Sequence, residues 1–409
     1  MKKENLLILA DDLTGANDTG VMFAEVNFNT LLNVSPSLND IDLKNTDVIT
    51  ISSDCRPLGY EAKNKTKQLI QQGIKKGITK IYLKIDSTMR GSVKHQIEGA
   101  IDAWSEIYPN VKAIICPAYP VMGRTIKNGI LYVNNVPVNQ TPSGKDPICP
   151  VNSSSMIALI PNSELLPLLS ENELFDRIKQ SQNNKFIIDA NSEQDLQIIS
   201  NVINKLGKSV IPVGSGGLAK KLNHINESFK VTKKINFGRS LILVTSIHSI
   251  SQLQIDDYIS EYGCESIVFN PSPSQLLNYS SSEKALKSQL IALINSSKNN
   301  LIIRANPLKA VNALTNNVLD LSKRISQYLA DLSLFCLNNQ KFDSLILFGG
   351  DGAASLLNQM KVTKIKISHQ VLSGVPVGII EEGKYCGMTV ITKSGGFGKQ
   401  NLLTDLIKS

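Results

Sequence analysis

The chain has 409 residues, 42% of them hydrophobic and 19% charged, which is enough apolar material for two packed domains and too ordinary a balance for a disordered or fibrous protein. Lysine and arginine number 43 against 35 acidic residues, a net charge of +8 that suits small anions; with one tryptophan and 5% aromatic residues the chain lacks the stacking platform of a nucleic-acid binder. No apolar run is long enough for a membrane span, Asp11-Asp12 cuts the run at 6–10 short of a signal-peptide core, and six scattered cysteines suggest neither a zinc site nor disulfides, so the expected location is the cytoplasm, without nucleic acid or membrane as partner.

Short runs of Ile, Leu and Val alternate with amphipathic stretches, the pattern of parallel strands covered by helices. In the first half, strands are expected at 6–10, 48–52, 80–85, 113–116, 186–189 and 210–213, with helices over 60–76, 93–104 and 193–206. Residues 130–138 read as a hairpin around Asn134-Asn135, projecting from the sheet. From Asn223 to Ser240 the chain turns polar and basic without a period, which marks a domain boundary. The alternation resumes with strands at 241–244, 266–269, 301–304, 345–348 and 389–392 and helices over 286–295 and 318–337, while the Asn/Ser-rich tracts 271–282 and 295–300 read as surface loops. The expected fold is α/β, with two domains, 1–235 and 236–409, each a mainly parallel sheet flanked by helices, and a cleft between them.

Open α/β sheets bind ligands at the carboxyl ends of their strands, so the residues just after each run carry the functional information. The first run is followed by Asp11-Asp12-Leu13-Thr14-Gly15, two carboxylates where a helix N-cap needs one. Such a pair can act as a base, hold a metal or grip sugar hydroxyls. The second run delivers Arg56, whose fork suits a carboxylate or phosphate. The third delivers Lys84-Ile85-Asp86-Ser87-Thr88-Met89-Arg90-Gly91, a mixture of cations, acid and hydroxyls that fits a polyhydroxylated anion, and the fourth leads to Arg124.

Gly214-Ser215-Gly216-Gly217-Leu218-Ala219 matches the dinucleotide fingerprint, but the acid expected about 20 residues later is missing, so it reads as a tight turn against the first-domain site. In the second half, Gly349-Gly350-Asp351-Gly352 and Lys393-Ser394-Gly395-Gly396-Phe397-Gly398 each follow a strand and can cradle phosphate on backbone N–H groups, although neither is a Walker P-loop. His95 reads as a helix-surface residue; His224, His248 and His369 take no role, and no covalent-hydrolase motif is present.

Taken together, Ala10 to Gly15, Lys84 to Gly91, Pro117-Ala118-Tyr119-Pro120 with Gly123-Arg124, Gly214 to Ala219, Gly349 to Asp351 and Lys393 to Gly398 resemble, in order and from end to end, the motifs of the four-carbon acid sugar kinase family. The resemblance implies a sugar-acid-binding domain at 1–235 and a nucleotide-binding domain at 236–409. It implies ATP and Mg²⁺ as cofactors, and transfer of the γ-phosphoryl group to the terminal (4-) hydroxyl of a tetronate. Asn17-Asp18-Thr19-Gly20-Val21 looks more like the D-threonate and D-erythronate kinases than the 3-oxo-tetronate kinases. On this reading Asp12, or as second choice Asp11, accepts the hydroxyl proton. Asp11, Asp12, Arg56, Lys84, Asp86, Ser87, Arg90 and Arg124 bind the sugar acid. Ser246, Gly349, Gly350, Asp351, Gly352, Lys393, Gly395, Gly396, Phe397 and Gly398 hold ATP, and closure brings the two sites together. Metal ligands are not assigned, and a homodimer is left open. The chain departs from the family pattern at Thr245, where a Gly precedes the Ser, and at Gly352, where a Thr follows the Gly-Gly-acid triplet. Two other classes compete: an NAD-dependent oxidoreductase built on the 214–219 turn, and a non-catalytic sugar-acid-binding protein.

Overall fold

The computed structural model describes residues 4–222, 237–263, 266–305, 318–372 and 374–408; the expected boundary segment up to residue 236, His224 and Cys264 lie outside them. The chain divides into two compact units, 1–229 and 230–409.

In the first unit the chain runs β1 (Leu6–Ala10), α1 (Leu13–Ala24), β2 (Thr30–Asn33), β3 (Val48–Ser52), α2 (Glu61–Lys76), β4 (Lys80–Lys84), α3 (Val93–Trp104) and β5 (Lys112–Cys116). It continues through β6 (Arg124–Lys127), β7 (Ile130–Val133), β8 (Val136–Pro137), α4 (Met156–Leu159), β9 (Glu164–Leu166), α5 (Glu171–Gln180), β10 (Lys185–Ile188), α6 (Glu193–Leu206), β11 (Val210–Gly214) and α7 (Gly216–Leu222). The strands β2-β3-β1-β4-β11-β5-β10-β9 form, in that order, a parallel sheet. Both faces are covered, which is why β1 and β3 are apolar without alternation: Leu7, Ile8, Leu9, Ile49 and Ile51 are all buried. The helices carry their own start and stop signals. In α6, Ser192 and Asp195 form a capping box, Leu196, Ile199, Val202 and Ile203 make the buried stripe, and Gly207 ends the helix. The expected hairpin is present and gains a third strand: β6, β7 and β8 form an antiparallel sheet whose turn residues Asn134 and Asn135 have φ of 50° and 64°.

The 214–219 turn serves packing within this unit. Tyr82 donates to the Ser215 carbonyl at 2.6 Å, and the Ser215 hydroxyl donates to the Ala118 carbonyl at 2.9 Å. A Cβ on Gly217 would lie 2.7 Å from the Ala118 carbonyl oxygen and 3.0 Å from Tyr119 Cα, backbone atoms that cannot swing aside. Gly217→Ala is therefore expected to destabilise the chain by about 1–3 kcal/mol, read as a lowered thermal midpoint. An unchanged midpoint would show that this close approach is not required.

The second unit runs β12 (Ser240–Val244), α8 (Ser249–Tyr262), β13 (Ser266–Phe269), α9 (Pro273–Leu277), α10 (Tyr279–Ser296), β14 (Asn300–Arg304) and α11 (Val318–Asn339). It ends with β15 (Ser344–Phe348), α12 (Gly350–Gln359), β16 (Lys364–Leu372), β17 (Val375–Ile380), β18 (Thr389–Lys393) and α13 (Leu402–Lys408). Its sheet has the order β13-β14-β12-β15-β18-β17-β16, parallel as far as β18 and antiparallel beyond. The expected loop over 271–282 is instead helical: Ser272 and Gln275 form a capping box ahead of Pro273, and α10 follows with Tyr279, Leu286, Leu290 and Ile294 buried. Its serines occupy the outward face, so their number concealed a helical stripe. The cysteines within the described residues are unpaired, and no helix among those residues is long and apolar enough to cross a membrane.

Candidate functional site

In the first unit the polar cluster lies where β3, β1 and β4, three adjacent strands, reach their carboxyl ends. Asp12 caps α1: Oδ1 accepts the Gly15 N–H at 2.7 Å and Oδ2 accepts the Thr14 hydroxyl at 3.0 Å. Arg56 spans three carboxylates, with Nε 2.6 Å from Asp11 Oδ2, one terminal nitrogen 3.0 Å from Asp12 Oδ2 and the other 3.8 Å from Asp86 Oδ1. Arg90 grips Asp86 with two nitrogens at 2.8 and 3.1 Å and reaches Asp146 at 3.3 Å. Asp86 also accepts the Thr88 hydroxyl and the backbone N–H groups of Thr88 and Arg90. The loop can approach this closely because Gly91, at φ 86°, has no side chain; a Cβ there would lie 2.4 Å from the Arg56 carbonyl.

Lys84 is buried, and its charge acts on Asp11 and Asp12. Its ammonium lies over the first turn of α1, where a Cβ on Gly15 would be 2.9 Å from Nζ and 2.6 Å from Asp12 Oδ1. Ser87 and Arg124 are partly exposed; Arg124 donates to the Met122 carbonyl, while its Nε is buried without a partner.

Electrostatics divide the two adjacent aspartates. Burial pushes the Asp11 carboxyl above the usual carboxylate range, against the pull of Arg56. Burial also opposes ionisation of Asp12, yet Arg56, Lys84 and the Gly15 N–H hold it below that range. Asp86 is desolvated too, and Arg90 and Arg56 keep it well below. The Asp11 side chain has no exposed surface, whereas that of Asp12 keeps 23%. Asp11 is thus buried behind Arg56 and anchors it, while its neighbour keeps the exposed surface. Asp146, which the sequence reading missed, completes the cluster; its Oδ1 accepts the N–H groups of Ile148 and Cys149 in a turn that nothing in its sequence marks as functional.

In the second unit three loops meet at the carboxyl ends of the adjacent strands β12, β15 and β18. Thr245 and Ser246 donate their N–H groups to the Phe348 carbonyl at 2.9 and 3.0 Å, and Gly349 donates to the Lys393 carbonyl at 3.1 Å. Gly349, at φ 110°, opens α12, so the N–H groups of its first turn point out of the helix end. Gly395 and Gly396 pack against Ser246 and His248: Cβ atoms there would lie 2.6 Å from Ser246 Oγ and 3.2 Å from His248 Nε2. His248 caps α8, its Nδ1 accepting the Ile250 N–H. Gln254 fixes the rest of the loop through the Phe397 and Lys399 carbonyls at 3.0 and 2.7 Å. Ser246, the 349–352 turn and Gly395 to Gly398 are thus brought together.

Lys393 lies beneath the glycine loop. It is fully buried, with Nζ donating to the Ser251 hydroxyl and the Gly395 carbonyl, both at 3.0 Å, and lying 5.1 Å from the centre of the Phe348 ring. The lysine shapes the glycine loop from beneath. Among the described residues no group of three His, Cys, Asp or Glu could hold a metal ion. A cation carried by phosphate oxygens and water, with one carboxylate such as the exposed Asp351, is the arrangement that fits these residues. Of the histidines, His95 lies on α3, 3.2 Å from Glu98 and edge-on to Tyr60.

Comparison with known proteins gives a consistent picture. The model of a sugar-binding N-terminal domain matches residues 6–222, and that of a nucleotide-binding C-terminal domain matches residues 241–403. A D-threonate kinase of Bordetella bronchiseptica is 30% identical over 408 residues, 97% of this chain and 95% of that protein. A D-erythronate kinase of Heliobacterium modesticaldum is 29% identical over 271 residues, 61% of this chain and 59% of that protein. A crystal structure from Salmonella typhimurium LT2 superposes with a TM-score of 0.77 at 21% identity, covering 98% of both chains, a likeness of fold.

Proposed function

The chain belongs to the four-carbon acid sugar kinase family, and we propose that, as an ATP-dependent kinase of that class, it phosphorylates the 4-hydroxyl of D-threonate. The observation that carries the substrate class is the first-unit cluster: the buried ammonium of Lys84 over the first turn of α1, beside an outward-facing Asp12 that Arg56 and Lys84 hold ionised. A small carboxylate with several hydroxyls fits such a mixture. The ammonium of Lys84 and the guanidinium groups of Arg56, Arg90 and Arg124 supply the positive field for its charge, and Ser87 and Asp86 supply donor and acceptor for its hydroxyls. The choice of D-threonate is supported by the full-length likeness to the Bordetella enzyme.

Phosphoryl transfer depends on in-line placement and charge neutralisation more than on covalent chemistry. Asp12 accepts the proton of the attacking hydroxyl as the new O–P bond forms and the bond to ADP breaks. Its depressed basicity is no obstacle, because in a loose transition state the proton leaves late and orientation matters more than strength. Ser246, the first turn of α12 and the 395–398 loop hold the triphosphate. Asp351, in the first turn of α12, would help to hold Mg²⁺, which would supply charge neutralisation to the phosphate oxygens.

ADP release should be followed with D-threonate, D-erythronate and the 3-oxo-tetronates, each with and without Mg²⁺. D-Threonate is expected to give the highest kcat/KM, with turnover lost when the metal is removed. A higher value for either other acid would overturn the substrate assignment, and turnover with none of them would overturn the reading altogether.

A further inference from the structure

Thr245 and Gly352, residues that departed from the family pattern separately in the sequence, prove to be one contact. A Cβ added to Gly352 would lie 2.3 Å from both Oγ1 and Cγ2 of Thr245, so the threonine already fills the space that a side chain at 352 would take. The main chain at 245 is fixed, since its N–H donates to the Phe348 carbonyl on the strand that launches α12. Its hydroxyl is held far more loosely, 3.4 Å from that same carbonyl. Thr245 is partly exposed, and a Cβ on Gly349 would lie 2.7 Å from Oγ1. A lightly engaged hydroxyl therefore sits over residues 349 to 352, beside the N–H groups that open α12.

We propose that Thr245 is a phosphate-binding residue of this chain, supplying from the end of β12 the hydroxyl that residue 352 lacks. The proposal rests on the reading of the second unit as the ATP site. Across this contact threonine opposite glycine keeps both the packing and a hydroxyl, whereas two glycines would lose the donor and two threonines would collide. A residue that merely filled space would be replaceable by valine, which has the shape of threonine without its oxygen.

The test uses the full chain and two readouts, ATP affinity by calorimetry and KM for ATP against KM for D-threonate. Thr245→Val is expected to weaken ATP binding about tenfold and leave KM for the sugar acid unmoved, because a hydrogen bond to a charged group is lost. Thr245→Ser should recover most of that loss. Gly352→Thr alone should bind ATP worse than Thr245→Val, and the double variant Thr245→Gly/Gly352→Thr should bind better than Gly352→Thr. Thermal melts identify any variant that fails to fold; if Gly352→Thr is one, the valine and serine variants still decide. ATP affinity in Thr245→Val equal to that of the parent overturns the proposal, as does a double variant no better than the single. A parent chain that does not bind ATP overturns the reading of the second unit instead.

Discussion

Asp12→Asn is expected to lower kcat by about a thousandfold, within the range that a positioned general base contributes, and to leave ATP affinity as it was. The substitution is the least disruptive one available at the site. Asparagine is as good an N-cap as aspartate, so the Gly15 N–H keeps its acceptor and α1 keeps its start. Arg56 retains Asp11 and Asp86, so the guanidinium stays in place. What disappears is the charge and the lone pair that takes the proton. Because the Asp12 carboxyl is held below its ordinary value of 3.8, the parent enzyme should show no acid limb from this group above about pH 4. Turnover by Asp12→Asn close to that of the parent would remove Asp12 from the reaction. A loss matched by a large fall in thermal midpoint would show the residue to be structural.

The parts of this protein that sequence makes legible are those in which one local signal does one job. An apolar run without alternation means a strand buried on both faces, and β1, β3, β12 and β15 follow that rule. Two carboxylates after such a run exceed what capping needs, and that excess marks out Asp11-Asp12. The division of labour between them was not legible, because it depends on which one turns inward to Arg56, a residue 45 positions away. Lys393 stands beside a glycine turn like a phosphate-binding lysine, and its burial against Ser251 and Phe348 could not be read from that motif. Asp146 left no trace at all, since its role comes entirely from the approach of Arg90. Long-range pairings between charged groups are set by how strand ends converge, and that convergence has no period for a sequence reading to find.

Arg56→Ala should have the largest effect on stability, about 3–5 kcal/mol at neutral pH, because it leaves charges buried without their partner. The guanidinium is the shared counterion of Asp11, Asp12 and Asp86, but the three depend on it unequally. Asp86 keeps Arg90, and Asp12 keeps Lys84 and the Gly15 N–H. Asp11 keeps only the distant pull of Lys84, in a place where burial already raises its carboxyl above the usual range. Removing Arg56 raises it further. A group whose folded value lies above its unfolded one favours folding fully below the unfolded value, here about 3.8, and loses that contribution as pH climbs through the folded value. Asp86, held low, works in the same direction: in the parent its stabilisation is present above about 3.8 and is lost as pH falls through its depressed value. The difference between parent and variant should therefore be largest near pH 7 and shrink on approach to pH 4, measured by urea unfolding at several pH values. A difference that stays constant across that range would mean that Asp11 does not titrate against Arg56, and the buried-anchor role assigned to it would fall. Arg56→Lys should recover part of the stability but little of the activity, since a single ammonium cannot span three carboxylates in the fixed plane of a guanidinium.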